Sequence, residues 1–192
     1  MKIKLLFATL FISTISYSQF PENSDIFFAK EFSKNTALYK AKEYVMTQII
    51  GVKPELTKFQ IDPLAAASSG ELTSLVYNYE KKNITGLVLG FYGDYWNDNG
   101  VVYQAYAFKN LPEENALEIL RRIDNYINNE SKYLSQDSDN NNMFFQYDDM
   151  TFLIYQDGMV KIRVFWKGFD SEWESTAFGR TKRRFERKIK KN

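Results

Sequence analysis

The sequence predicts an α+β fold: one antiparallel sheet built from two three-stranded meanders, with helices on one face, in the order α-βββ-α-βββ-α. Three observations carry that expectation. Met143 to Trp166 is a run of aromatic and β-branched residues broken by Asp148-Asp149 and Asp157-Gly158, and Asp-Gly between such runs is the strongest short-range hairpin signal. A second set of runs, Leu72 to Glu80, Ile84 to Tyr92 and Val101 to Lys109, has the same short-strand character. Around these meanders, three segments space their apolar residues as helices do.

The chain opens with Lys2 and Lys4, an apolar run from Leu5 to Ile15, and Ser16-Tyr17-Ser18 with small residues at −3 and −1. That is the pattern of a Gram-negative-type signal peptide over 1–18, cleaved after Ser18, and the run falls short of the roughly 20 residues a membrane span needs. Export to the periplasm or the medium follows, with no transmembrane segment after cleavage. A lipid-bearing Cys is absent. Residues 19–192 are then expected to form a single α+β domain with a basic C-terminal helix over 172–192.

Phe20 to Ser33 reads as an irregular arm. Leu38, Ala41, Val45 and Ile49 are spaced as a first helix that Gly51 stops. Lys53 to Gly70, with Pro54, Pro63 and an Ala-Ser run, reads as loop except for a short strand at Phe59 to Ile61. Ile84 to Tyr92 is apolar at nearly every position, as a central strand is. Pro112, Glu113 and Glu114 open a second helix, acids being favourable in its positive first turn, with Ala116, Ile119, Leu120, Ile123, Tyr126 and Ile127 as its buried stripe. Asn128 to Asn142 reads as a polar linker. A two-residue Asp157-Gly158 turn would set Tyr155 opposite Val160 and Leu153 opposite Ile162, burying Leu153 and Tyr155 with Val160, Ile162, Val164 and Trp166. The last helix is expected from near Ser171 or Ser175, on an apolar stripe of Phe178, Phe185 and Ile189. In outline this order is similar to that of bacterial secretion-chaperone-like folds, a likeness of element order alone, which no motif carries.

Composition removes whole classes of chemistry. With no Cys and no His there is no thiol nucleophile, no Ser-His or Cys-His pair, and none of the usual zinc ligands. No Gly-rich phosphate loop, G-x-S-x-G or S-x-x-K is present either. The near-neutral net charge of +1 conceals an asymmetry: eight of the 25 basic residues lie between Arg180 and Asn192, with Glu186 the single acid among them. The rest of the chain is acidic.

Four sets of residues are candidates for function. The hairpin tip Tyr92, Asp94, Tyr95, Trp96 and Asp98 sets aromatics beside short polar side chains, which suits sugar stacking or a protein hot spot, and equally a tip folded back on the core. The basic surface Arg180, Lys182, Arg183, Arg184, Arg187 and Lys188 suits an envelope protein or an anionic surface; nucleic acid is not expected outside the cytoplasm, and a solvated helix face is the competing reading. Asp137, Asp139, Asn141 and Asp148 fall at positions 1, 3, 5 and 12 of a calcium loop, but Asn142 stands at position 6 where Gly is needed, so the segment reads as a solvated linker, with no metal or cofactor expected. Glu71, Glu80, Asp94, Asp98, Asp148 and Asp149, at strand ends or turns, are the candidates for paired-carboxylate glycoside chemistry. The leading expectation is an exported, non-catalytic binding protein of the bacterial envelope. The alternative is a small carboxylate-dependent hydrolase acting on envelope polysaccharide.

Overall fold

A computed structural model of the chain describes residues 26–28, 34–96, 100 and 102–190. The expected signal peptide and its cleavage point lie outside the described residues. The class is α+β, as the sequence predicts, but the strands form two sheets rather than one. The first sheet has five strands, β1 (Ile26–Phe28), β2 (Gln60–Ala66), β3 (Leu72–Tyr79), β4 (Ile84–Trp96) and β5 (Val102–Pro112), in the spatial order β1-β5-β4-β3-β2. The second is a meander of β6 (Asn142–Tyr147), β7 (Met150–Asp157), β8 (Met159–Trp166) and β9 (Phe169–Glu174). All pairings are antiparallel.

The continuous apolar run becomes the central strand β4, buried at every position from Thr85 to Phe91. Alternation then divides its side chains between two cores. Leu75, Tyr77, Val88, Tyr106 and Phe108 pack against α1 (Lys34–Tyr44) and the π-helical turn Val45–Ile50 that continues it. Val45 and Ile50, five residues apart, are both buried, as the wider i→i+5 turn allows. Gly86 and Gly90 are required on this face: a Cβ at Gly86 would lie 2.6 Å from the Tyr77 ring, and one at Gly90 would lie 2.6 Å from Thr73 Oγ1.

The opposite face, with Leu72, Val76, Leu87, Leu89, Phe91 and Ala107, shares one core with α2 (Glu113–Asn129), α4 (Ser175–Ile189) and the inner face of the second sheet. Helices therefore cover both faces of the first sheet, which corrects the expectation of one. Phe91 lies 4.9 Å from Trp166 and 6.1 Å from Phe169, ring to ring, so β4 meets β8 and β9 directly.

Further corrections concern elements. β2 overlaps the short strand expected at Phe59 to Ile61 and extends it through Ala66 into the expected loop; it is an edge strand with a register shift between Pro63 and Ala65, where the missing proline N–H costs no ladder bond. A short helix α3 (Ser131–Gln136) interrupts the expected linker and buries Leu134. Residues 172–174, assigned to the last helix, belong to β9, because Phe169, Ser171 and Trp173 are buried at a period of two. The two-residue turn preceding β9, Lys167-Gly168, has positive φ at both positions (47° and 84°), the geometry expected of Asp157-Gly158.

At Asp157-Gly158 the pairing is one residue off the expectation. Gly158 alone stands between Asp157 and Met159, and Ile154 faces Ile162 while Phe152 faces Val164. A one-residue slip turns a strand over. Phe152 and Ile154 consequently enter the core with Ile162, Val164 and Trp166, and Leu153 and Tyr155 face outward. Burying Phe152, Ile154 and Met150 together outweighs the preference of Asp-Gly for a two-residue turn.

Candidate functional site

The hairpin tip is more strand than loop, since β4 runs through Trp96. Tyr95 is only 8% exposed and packs its ring 5.7 Å from Phe169 in the main core. Tyr92, on the other face, is half-buried against the α1 core. Asp94 is exposed and accepts a hydrogen bond from Gln104 Nε2 across the β4–β5 pair. The Trp96 side chain and Asp98 lie outside the described residues. Tyr95 is therefore a packing residue, and the described part of the tip offers no aromatic platform.

The acidic segment does not gather around a common point. Asp137 accepts both its bonds from Asn140 Nδ2 at 3.0 Å, and Asn141 Nδ2 donates to the Tyr133 carbonyl at 2.7 Å. Asp148 stands at the far end of β6, about 20 Å of extended chain away. The 12-residue calcium arrangement of Asp137, Asp139, Asn141 and Asp148 thus fails because a strand, not a curled loop, separates its ends. Among the described residues, no group of three or more metal-ligating side chains could hold an ion.

The paired carboxylates are occupied by structural contacts. Asp148 and Asp149 both accept from Lys109 Nζ, at 2.7 and 2.6 Å, and Asp149 also accepts from Trp166 Nε1 at 2.8 Å. Lys109 sits on the inner side of β5, so this cluster clasps the first sheet to the second. Partial burial pushes the Asp149 carboxyl up, but the Lys109 and Trp166 hydrogen bonds outweigh it and hold the group below the usual carboxylate range. Burial likewise pulls Lys109 down, and its two carboxylates outweigh that and raise it. A general acid needs the opposite shift in its carboxyl. Elsewhere, Glu71 Oε2 accepts from the Glu172 N–H at 3.0 Å, and Glu80 Oε1 accepts from Gln60 at 3.3 Å.

Helix α4 carries the feature that most resembles a site. It begins after Glu174, and its inner face, Ala177, Phe178, Thr181 and Phe185, is buried in the main core. Thr181 Oγ1 lies 2.6 Å from Ser74 Oγ on β3, which fixes the helix against the first sheet. The basic residues divide into two sets. Lys182 bonds Asp124 of α2 at 2.6 Å, Arg184 donates to the Leu64 carbonyl on β2, and Lys188 pairs with Asp62. These three hold the helix in place. Arg180, Arg183, Arg187 and Lys190, at i, i+3, i+7 and i+10, line the outward face and are exposed. None of the four makes a side-chain hydrogen bond or ion pair among the described residues. At 1.5 Å per residue they form a basic stripe about 15 Å long.

Cavities add little. One hollow, about 560 Å3, has walls drawn only from α2, Leu117, Arg121 and Tyr126 among them, and is an open groove. A smaller one of about 220 Å3 lies at the β2 irregularity beneath Arg184, below the usual size of a ligand pocket. Among the described residues, no helix is long and apolar enough to cross a membrane. No protein-family model, curated protein or solved structure matches the chain.

Proposed function

We propose that this chain is an exported, non-catalytic interaction protein of the bacterial envelope that docks an acidic partner protein through the outer face of α4. The observation that carries the reading is the unpaired stripe of Arg180, Arg183, Arg187 and Lys190, set on a helix that its neighbours hold rigidly. Three of the four are Arg, whose planar guanidinium matches carboxylates in bidentate fashion. The apolar side of α4 is spent in the core, so the helix has nothing to insert into a bilayer. The acidic remainder of the chain also disfavours approach to a broad anionic surface. The basic n-region and apolar run before Ser18 support export.

A truncation at Gly179 would remove buried Thr181 and Phe185 and destroy the fold with the surface, so the test uses outward substitutions. The triple variant Arg180→Glu, Arg183→Glu, Arg187→Glu keeps every buried side chain. Crosslinked capture from native envelopes should recover an acidic protein with the unaltered chain and lose it with the triple variant. The same complex should weaken as salt shortens the Debye length below ~8 Å. Equal capture by both forms would remove α4 from the interface, and capture of anionic vesicles in place of a protein would overturn the choice of partner.

A further inference from the structure

Among the described residues, three of the four sheet edges are short or blocked by side chains; the fourth is open. β1 has three residues. On β2, Arg184 occupies the Leu64 carbonyl and Lys188 pairs with Asp62. On β9, the Glu71 carboxylate takes the Glu172 N–H, and Glu174 accepts from the Ser68 N–H at 3.0 Å. β6 pairs with β7 through six uninterrupted positions and, among the described residues, has no other strand beside it. No side chain or other backbone among the described residues bonds to its outer edge.

β6 also lacks the usual protections of an edge. Asn142-Met143-Phe144-Phe145-Gln146-Tyr147 contains no charge, no Pro and no bulge. Phe144, at its middle, is 79% exposed. In antiparallel pairing every second residue turns its N–H and C=O away from the neighbouring strand. With Tyr147 and Met150 closing the two-residue turn Asp148-Asp149, the outward set is Asn142, Phe144 and Gln146.

That set is chemically symmetric about its centre: amide, aromatic, amide. We infer that β6 is a homodimer interface, at which two copies pair their β6 strands antiparallel about a two-fold axis at Phe144 and join two four-stranded sheets into one of eight. In that register Phe144 meets its own copy, and Asn142 faces Gln146 of the second copy, each amide supplying a donor and an acceptor. Met143 faces Phe145 on the inner side. The adjoining acids Asp148 and Asp149 are already bound by Lys109 and add little repulsion. This surface is separate from the α4 stripe, and its test is independent of the docking reading.

The absence of Cys gives a clean test of both association and register. Sedimentation velocity on the purified protein should show a dimer that Phe144→Lys converts to monomer, with an unchanged circular dichroism spectrum. Under mild oxidation, the Phe144→Cys variant should crosslink to itself, since opposed Cα atoms at about 5.5 Å are within disulfide reach. Asn142→Cys should crosslink with Gln146→Cys in a mixture and not with itself. A monomer at every concentration up to ~100 μM, two orders of magnitude above a micromolar Kd, would overturn the inference. So would a dimer that survives Phe144→Lys, a crosslinking pattern of another register, or an edge that takes up an extended peptide while the protein stays monomeric.

Discussion

Lys109 shows how a single residue decides what a pair of carboxylates is for. Its side chain reaches from the first sheet to the turn between β6 and β7 and takes Asp148 and Asp149 together, with Trp166 Nε1 completing the coordination of Asp149. Two adjacent acids that resemble catalytic chemistry in the sequence thereby become a clasp. The clasp titrates at both ends. Asp149 lies below its ordinary value of 3.8 in the folded protein, so it contributes stability above that pH and loses it as pH falls through the lowered folded value. Lys109 lies above its ordinary 10.5, so its contribution is complete below that pH and is lost as pH rises through the raised folded value. Asp149→Asn should therefore lower stability at neutral pH and flatten the decline below about pH 4, and Lys109→Met should do the same for the alkaline decline. Denaturant unfolding across pH checks both; a variant whose acid limb stays as steep as that of the unaltered chain would show that Asp149 is not part of that limb. Asp149 is half exposed, and screening keeps the effect modest.

At the scale of the element, α4 is two surfaces with different duties. Phe185 is fully buried and Arg183 fully outward, one-half turn apart on the same helix. Phe185→Ala should cost about 3–5 kcal/mol through the cavity it leaves, whereas Arg183→Glu should stay within about 0.5 kcal/mol. Paired urea titrations measure the difference, and similar costs for the two would mean that the helix is not seated as described. The elements that the sequence makes legible are those whose signal is local and redundant. β4 is apolar at nearly every position from Ile84 to Tyr92, and α2 has both acids in its first turn and a stripe of which Ala116, Ile119, Leu120 and Ile123 are buried, although Tyr126, expected with them, is exposed. β2 is legible only at its start, in the short strand expected at Phe59 to Ile61, and β9 is not legible, for opposite reasons. Pro63 and the Ala run hide β2 because an edge position and an irregular register forgive what a central strand would not. In β9, Ser171 holds a core position between Phe169 and Trp173, so the alternation is weak in polarity and appears only in burial. The slipped β7–β8 register is a third kind of miss, where a local turn preference loses to the non-local gain of burying Phe152 and Ile154.

The candidate site is legible only in part, because its meaning depends on the whole molecule. Sequence counts the basic residues of the last helix, but Lys182 and Lys188 are removed from the outward surface by Asp124 and Asp62, 58 and 126 residues away. Tyr95 has the look of a contact residue and is claimed by Phe169 from the other sheet. The same long-range packing governs how the protein unfolds. A chain of this length with two sheets has room to unfold in stages. Here β4 of the first sheet touches β8 and β9 of the second through Phe91, Trp166, Tyr95 and Phe169, and α4 is fastened to both sheets by its buried face. Neither sheet has a complete core without the other. Far-UV circular dichroism, which reports the backbone of both sheets, and tryptophan fluorescence, which reports Trp96 at the end of β4 in the first sheet and Trp166 and Trp173 in the second, should therefore give coincident denaturant transitions. Trp166→Ala should lower the common midpoint by an amount equivalent to about 3–5 kcal/mol while the two probes stay together, because it weakens a shared core and leaves no independent one behind. Separate midpoints in the unaltered protein would mean that the sheets are stable apart, and the clasp at Lys109 would then be a hinge between them rather than a seam within one core.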